Sequence, residues 1–185
     1  PPLIADTNGP IAGARAIAGK EEMATRPQVI ALEEHYLDPE VKPYITGSDV
    51  TRQPKVSARL DDVGQGRIAE MDAAGIDIQV LSHGAPSVQR LEAELAVRLA
   101  RGANDRLAET VRSHPDRFAG FAMLPTADPK AAADELERAV TRLGFKGAMV
   151  HGLTGGLFLD DRRFWPIFER AQALDVPLYM HPAVP

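Results

Sequence analysis

Short apolar segments alternate with amphipathic helical segments along most of this chain, and this alternation constrains the fold more than any other feature. Apolar runs of strand length are separated by stretches with helical periodicity. Such an order predicts parallel strands joined by right-handed crossovers, as in α/β folds. The five predicted strands are Gln28–Glu34, Ile76–Ser82, Arg117–Leu124, Phe145–His151 and Val176–His181.

Two architectures fit this alternation, and periodicity alone does not choose between them. One is an open, doubly wound parallel sheet. The other is a partial (β/α)8 barrel of the TIM type, with about five strands and four helices, truncated after its fifth strand. A complete barrel has eight such units and typically about 250 residues, whereas this chain has 185.

The connections between the predicted strands differ in character. Four carry helical patterns: a short helix with Gly75 at its C-terminal end, residues 87–113, the stretch from Asp128 to Gly144, and a last helix whose predicted buried face includes Phe168. The third is the best marked, since Asp128 can cap it, Pro129 suits its first turn and Gly144 can end it. Residues 37–66 are polar and irregular, and a connection of that length is often a functional lid. Tyr44 lies in this predicted lid and is a candidate substrate-binding residue.

Composition excludes several classes of protein. The formal net charge is −5 with no basic cluster, which argues against a nucleic-acid partner. The chain has no cysteine and no apolar run of the roughly 18 residues that a membrane span needs. We therefore expect a cytoplasmic protein without a membrane partner. Residues 1–26 are predicted to be a disordered N-terminal extension, and residues 27–185 to form the barrel.

Four of the five histidines lie at or just beyond the carboxyl ends of predicted strands: His35, His83, His151 and His181. In parallel α/β folds this is the face where ligands bind. The fifth histidine, His114, lies at a helix end, where a capping or surface role is expected. The sequence thus collects imidazoles from separate strands at one face.

Glu33 and His35 are two residues apart, so their side chains are predicted to point to the same side of the first strand, with Glu34 on the other. A carboxylate and an imidazole on one face suit zinc or another first-row metal ion. His181 is a candidate third ligand if the sheet curls into a barrel. The alternative is that Glu33 and His35 only pair with each other or cap the sheet.

His83 and His151 each precede a glycine, where the backbone turns away from the strand. As functional residues they would line a substrate pocket rather than hold the metal. Alternatively, they are loop histidines hydrogen-bonded to the backbone. The sequence leaves both interpretations open.

Five ordered segments stand out along the chain: "IALEEHYL", "RIAEMDAAGIDIQVLS", "ANDRLAETVRSHPDRFAGFAMLPTADP", "GFKGAMVHG" and "LDDRRFWPIFERAQALDVPLYMHP". Together they resemble the amidohydrolase-related family, which includes metal-dependent hydroxybenzoate, resorcylate and aminocarboxymuconate-semialdehyde decarboxylases. The resemblance covers about residues 27–185. It implies a distorted (β/α)8 barrel with one divalent ion, zinc or manganese, bound by Glu33, His35 and His181. It also favours homo-oligomers.

The activity implied by the resemblance is nonoxidative decarboxylation of a small aromatic or related carboxylic acid, with the metal as Lewis acid and template. The family's catalytic histidine and aspartate from later strands would lie beyond Pro185, so the catalytic residues are unknown. Relatives often have asparagine at the position of His151. The chain resembles an N-terminal fragment, for which we expect weak activity or none.

Two other classes of function remain open. A metal at the same site can activate water, which would make the protein a hydrolase of lactones or amides. A non-enzymatic α/β module without metal is the second alternative. The residues alone do not identify the substrate or distinguish a lyase from a hydrolase.

Overall fold

The computed structural model describes residues 26–45 and 54–182 of the chain. Six strand segments and five α-helices lie in these ranges, together with 3-10 turns at Lys42–Tyr44 and Arg162–Phe164. The strands are β1 (Ile30–Tyr36), β2 (Ile78–His83), β3 (Phe118–Gly120), β4 (Ala122–Met123), β5 (Ala148–His151) and β6 (Leu178–His181). The helices are α1 (Pro54–Asp61), α2 (Gln65–Ala74), α3 (Ala93–Ser113), α4 (Pro129–Leu143) and α5 (Trp165–Leu174). Of the predicted extension at residues 1–26, all but Arg26 lies outside the described residues.

All strand pairs are parallel, in the order β1-β2-β3 and β4-β5-β6. The third predicted strand is divided at Phe121, so that β3 pairs with β2 and β4 pairs with β5. Phe121 still donates its backbone N–H to the carbonyl of Leu81, and Ala122 donates to Gly147. The two halves therefore form one bent segment that carries the sheet around a corner.

The sheet has two differently packed faces because successive strand residues point in opposite directions. Leu81 and Val150 belong to the large core beneath the helices, with Met71 of α2, Leu107 of α3 and Leu136 of α4. The residues next to them in sequence point to the opposite face of the sheet, which we call the inner face. A second, small cluster lies there, formed by Val80, Phe121 and Met149 with Ala119 and Tyr179 packed against them.

Local sequence signals account for most helix ends. The Asp128 side chain accepts a hydrogen bond from the Ala131 N–H at the start of α4, and Gly144 ends the helix in the left-handed conformation. Gly75 ends α2 in the same way, with φ of 70°. These predicted caps are confirmed.

Other predicted boundaries are wrong. The irregular segment 37–66 contains α1, whose Leu60 packs with Leu37 and Val41 and accepts a backbone hydrogen bond from Leu37. The helix predicted from residue 87 begins only at Ala93, because residues 85–90 form successive turns. Phe168, predicted to lie on the buried face of the last helix, is 37% exposed.

The first strand is shifted relative to its prediction and contains a bulge. It runs from Ile30 to Tyr36, and its register against β2 shifts between Ala31 and Glu34. Two residues, Leu32 and Glu33, thus stand opposite Val80. A bulge re-aims side chains and is frequent next to active sites.

Candidate metal centre

Glu33, His35 and His181 converge at the carboxyl ends of β1 and β6. Each offers one ligand atom, and these atoms all lie within 4.8 Å of one another. The rings of His35 and His181 are 4.9 Å apart between centroids. The structure therefore brings together the three predicted ligands, although they come from strands at opposite ends of the strand order.

His181 and Glu33 are the most closely opposed pair of this cluster. His181 Nε2 lies 3.1 Å from Glu33 Oε1, while His181 Nδ1 lies 2.6 Å from the carbonyl oxygen of Pro182. The carbonyl can only accept, so Nδ1 carries a proton and Nε2 of the neutral ring has a lone pair facing the carboxylate. Two lone pairs at this distance need a proton or a metal ion between them.

The spacing fits a shared metal ion. Ligand bonds of about 2.0–2.2 Å to a common ion place adjacent donor atoms roughly 3.0–3.5 Å apart, depending on the angle between the bonds. His35 has a complementary arrangement, since its Nδ1 lies 3.1 Å from Ser82 Oγ. With the Nδ1 proton donated to this hydroxyl, Nε2 is free to bind a metal, and such a contact fixes the ring orientation. The donor set therefore fits one divalent ion with open coordination positions.

The electrostatics of the cluster favour the forms that bind metal. Tyr179 donates a hydrogen bond of 2.5 Å to Glu33 Oε2, and this bond, aided by His181 and His35, lowers the pKa of the Glu33 carboxyl. Burial lowers the pKa of His35 and favours its neutral ring. Both groups are thus in their metal-binding protonation states near neutral pH.

Glu34 is on the other side of the strand, as predicted. It lines a cavity of about 580 Å³ between β1 and the first two helices, with Arg67 and Gln79. Burial raises the pKa of the Glu34 carboxyl, an effect opposed by the positive charge of Arg67. Arg67 also donates a hydrogen bond of 2.7 Å to the backbone carbonyl of His35. This contact links the helix layer to the strand that carries the candidate ligands.

His151 joins the cluster from the middle of the sheet. Its ring centroid is 5.1 Å from that of His181 and 6.0 Å from that of His35. Its Nε2 lies 2.9 Å from the backbone carbonyl oxygen of His83, and its backbone N–H donates to Gln89 Oε1. The side chain is buried, and burial lowers its pKa to about 3.

The side chains of His83 and Tyr44 do not join this cluster. The His83 ring packs against Tyr36, 5.4 Å between centroids, so its carbonyl rather than its imidazole reaches His151. Tyr44 is 44% exposed on the first 3-10 turn, and the structure does not place it in contact with the histidines. Their predicted roles in substrate binding stay predictions.

Three residues near the centre were not singled out in the sequence: Ser82, Gln89 and Tyr179. Ser82 lies in β2 and Tyr179 in β6, and Ser82 pairs in register with His35. That register was a usable signal, because residue 82 stands beside residue 35 once the strands are paired. Gln89 acts across 62 residues of sequence, and no local pattern reveals it.

Comparison with known proteins identifies the same family that the sequence segments resemble. A sequence profile of the amidohydrolase family matches residues 34–185. The chain is 44% identical over 164 residues to a gamma-resorcylate decarboxylase of Polaromonas sp. strain JS666, a match that covers 84% of this chain and 50% of the relative. The chain thus spans about half the length of the curated relatives it matches.

Solved structures of decarboxylases are also similar to this chain in fold and in sequence. A dihydroxybenzoic acid decarboxylase from Polaromonas sp. JS666, with bound manganese and the inhibitor 2-nitroresorcinol, matches with a TM-score of 0.75 at 42% identity, covering 86% of this chain and 51% of the other. A 2,6-dihydroxybenzoate decarboxylase from Rhizobium matches with a TM-score of 0.78 at 40% identity, covering 86% and 51%. The predicted partial barrel and the predicted family are confirmed: this chain belongs to the amidohydrolase family.

Proposed function

We propose that this chain carries the metal-binding part of a nonoxidative decarboxylase that acts on a small aromatic carboxylic acid. The observation that carries the proposal is the converging donor set of Glu33, His35 and His181. The reaction class is supported by the relatives, which are decarboxylases of resorcylate and dihydroxybenzoate over the matched half of their length.

Glu33, His35 and His181 would hold one divalent ion, and we propose zinc or manganese. When bound, such an ion supplies Lewis-acid chemistry and a template for a carboxylate and a neighbouring oxygen. Tyr179 would hold the Glu33 carboxylate in place through its hydroxyl. Ser82 would orient the His35 ring through Nδ1.

The inner face supplies the surroundings that a ring-bearing substrate needs. Val80, Phe121 and Met149 form an apolar cluster there, and the Phe121 ring lies 6.2 Å from that of Tyr179. An apolar surface beside the ion excludes water and strengthens the electrostatic contacts made there. The acid that protonates the ring carbon is not assigned among residues 26–45 and 54–182.

The test uses the full-length gene product loaded with zinc or manganese, with 2,6-dihydroxybenzoate as the probe. We expect CO2 release that disappears when the metal is removed with a chelator. Glu33→Gln should abolish it, because this change removes the ligand charge, whereas Glu34→Gln on the opposite side of the strand should leave most of the activity. A protein that releases acid from lactones or amides, but no CO2 from aromatic acids, would instead be a hydrolase.

Other expectations from the sequence stay predictions. None of the helices in the described ranges is both long and apolar enough to cross a membrane. Homo-oligomerisation, a cytoplasmic location and the absence of a nucleic-acid partner are not tested by the fold. Substrate contacts by His83 and Tyr44 also remain proposals, and substituting each with alanine would test them through the KM.

A further inference from the structure

His151 has a buried ring nitrogen without a hydrogen-bond partner among the described residues. Its side chain is 2% exposed, and Nδ1 has neither solvent contact nor a protein donor. Buried polar atoms are nearly always paired, so an orphan atom beside a binding site points to a partner that lies outside the described residues. This observation is independent of the three candidate metal ligands.

The protonation state of His151 follows from its other nitrogen. Nε2 faces the carbonyl oxygen of His83 at 2.9 Å, and a carbonyl can only accept. Nε2 therefore carries the proton, and Nδ1 of the neutral ring presents a lone pair. The missing partner must be a hydrogen-bond donor or a cation.

The ring cannot easily turn to present a different atom. The backbone N–H of His151 donates to Gln89 Oε1, and Gln89 Nε2 donates to Thr154 Oγ1 at 3.2 Å. Thr154 in turn shares a hydrogen bond of 2.7 Å with Thr126. This buried polar chain fixes the end of β5 and with it the direction of the imidazole.

A hydrogen bond suits Nδ1 better than a metal bond does. His151 is not part of the set of described ligand atoms that lie within 4.8 Å of one another. Its ring nevertheless lies 5.1 Å from that of His181, within reach of a molecule held by the same ion. The donor should therefore belong to a ligand that also contacts the metal.

We propose that His151 is a specificity-determining residue whose Nδ1 accepts a hydrogen bond from a ring hydroxyl of the metal-bound ligand. The proposal rests on the proposed function for the class of ligand, an aromatic acid. It adds that the ligand must donate a hydrogen bond at this point. An acceptor such as a methoxy group in the same place would leave two lone pairs facing each other.

The test compares two probes that are not decarboxylated, 2-nitroresorcinol and its monomethyl ether, in the zinc-loaded full-length protein. We expect the wild type to bind 2-nitroresorcinol at least about tenfold more tightly, the effect of one buried hydrogen bond left unmade. His151→Gln keeps a donor near Nε2 and loses the acceptor at Nδ1, so the preference should fall below about threefold. His151→Asn keeps an acceptor near Nδ1 and should retain most of the preference.

His114→Asn is the matched control, because it changes a histidine at the end of α3 and should behave as the wild type. Zinc affinity should be the same in all these proteins. An unchanged preference in His151→Gln, or an equal loss in both His151 variants, would overturn the proposal. So would a large loss of zinc affinity in either variant, which would make His151 a metal ligand.

A spectroscopic measurement on the wild type does not depend on the variants' folding. In ¹⁵N-histidine-labelled zinc protein, His151 should show the neutral ring protonated at Nε2, and 2-nitroresorcinol should shift its Nδ1 signal. No shift, or a proton on Nδ1, would contradict the proposal. Preference for the donor probe without any CO2 release would refute the decarboxylase function and leave this inference standing.

Discussion

The inner strands and the edge strands of the sheet carry different parts of the candidate site, and they are stabilised in different ways. β5 is buried at every position, and β2 at every position but its first. Among the described residues, β1 and β6 are the outermost strands, and most of their residues are exposed or half-buried. The candidate metal ligands all lie on these two edge strands.

The difference shows how the site is held together. His151 on β5 is fixed by a buried chain of hydrogen bonds through Gln89 and Thr154. On the edges, Glu33 is held by the Tyr179 hydroxyl and His181 by the backbone carbonyl of Pro182. The edge half of the site therefore depends on a bound ion far more than the inner half, because without a cation its ligands face each other directly.

The largest expected effect is on the free energy of unfolding, and it is tested by substituting a matched pair of leucines on neighbouring strands. Leu81 on β2 is fully buried, whereas Leu32 on β1 is 49% exposed. In the chain of 185 residues, Leu81→Ala should lower the free energy of unfolding by about 2–5 kcal/mol, while Leu32→Ala should change it by about 0.5 kcal/mol or less. Urea denaturation measures both. Equal losses would mean that the edge is as well packed as the interior.

Removal of a candidate ligand should abolish tight metal binding. We expect His181→Ala to weaken zinc affinity more than about 100-fold, beyond the 10- to 100-fold effects typical of groups that only orient ligands. His114→Ala should leave the affinity unchanged. Competition with a chromophoric chelator gives both values. Wild-type affinity in His181→Ala would remove this residue from the site.

The buried histidine at the end of the inner strand β2 should make stability depend on pH. Burial lowers the pKa of His83 to about 4, so between pH 6.5 and 4 the unfolded chain binds the proton that the folded chain excludes. Stability is thus present above pH 6.5 and falls as the pH drops towards 4, by up to about 1.4 kcal/mol per pH unit for this group. Denaturation of the metal-free protein across this range should show a shallower slope for His83→Gln than for His114→Gln. Identical slopes would contradict the assignment.

The smallest expected effect concerns the hydroxyl that orients His35. Ser82→Ala removes the partner of Nδ1 without removing a ligand, and we expect about a tenfold loss of zinc affinity. Ser87→Ala, on the turn after β2, is the control and should not change the affinity. Isothermal titration with zinc distinguishes the two, and a loss as large as that of His181→Ala would point to a direct ligand.

Much of the fold was predictable, because apolar residues recur at different spacings in strands and in helices, and because the residues that cap a helix are close to its ends in sequence. Asp128 and Gly144 marked the limits of α4 to within a residue, and the apolar runs located every strand. The break at Phe121 was not predictable, because it depends on which strands pair on either side. The helix at Pro54–Asp61 was missed because it is only eight residues long and mainly polar.

The candidate site was partly predictable, because some of its residues follow from their positions within single strands. The spacing of Glu33 and His35 within one strand identified two members, and the strand-end position of His181 suggested the third. Their approach across the sheet depends on its curvature, which no local pattern encodes. The role of Ser82 could be found once the register of the strands was known, whereas those of Gln89 and Tyr179 depend on long-range hydrogen bonds and emerged only from the structure.

The central claim is that Glu33, His35 and His181 bind one metal ion. Anomalous diffraction at the zinc edge, from crystals of the zinc-loaded full-length protein, tests it most directly. We predict one strong peak within about 2.0–2.2 Å of a carboxylate oxygen of Glu33 and of Nε2 in both histidines. A peak held by other residues, or an intact Glu33–His181 contact with no ion between the two side chains, would contradict the account.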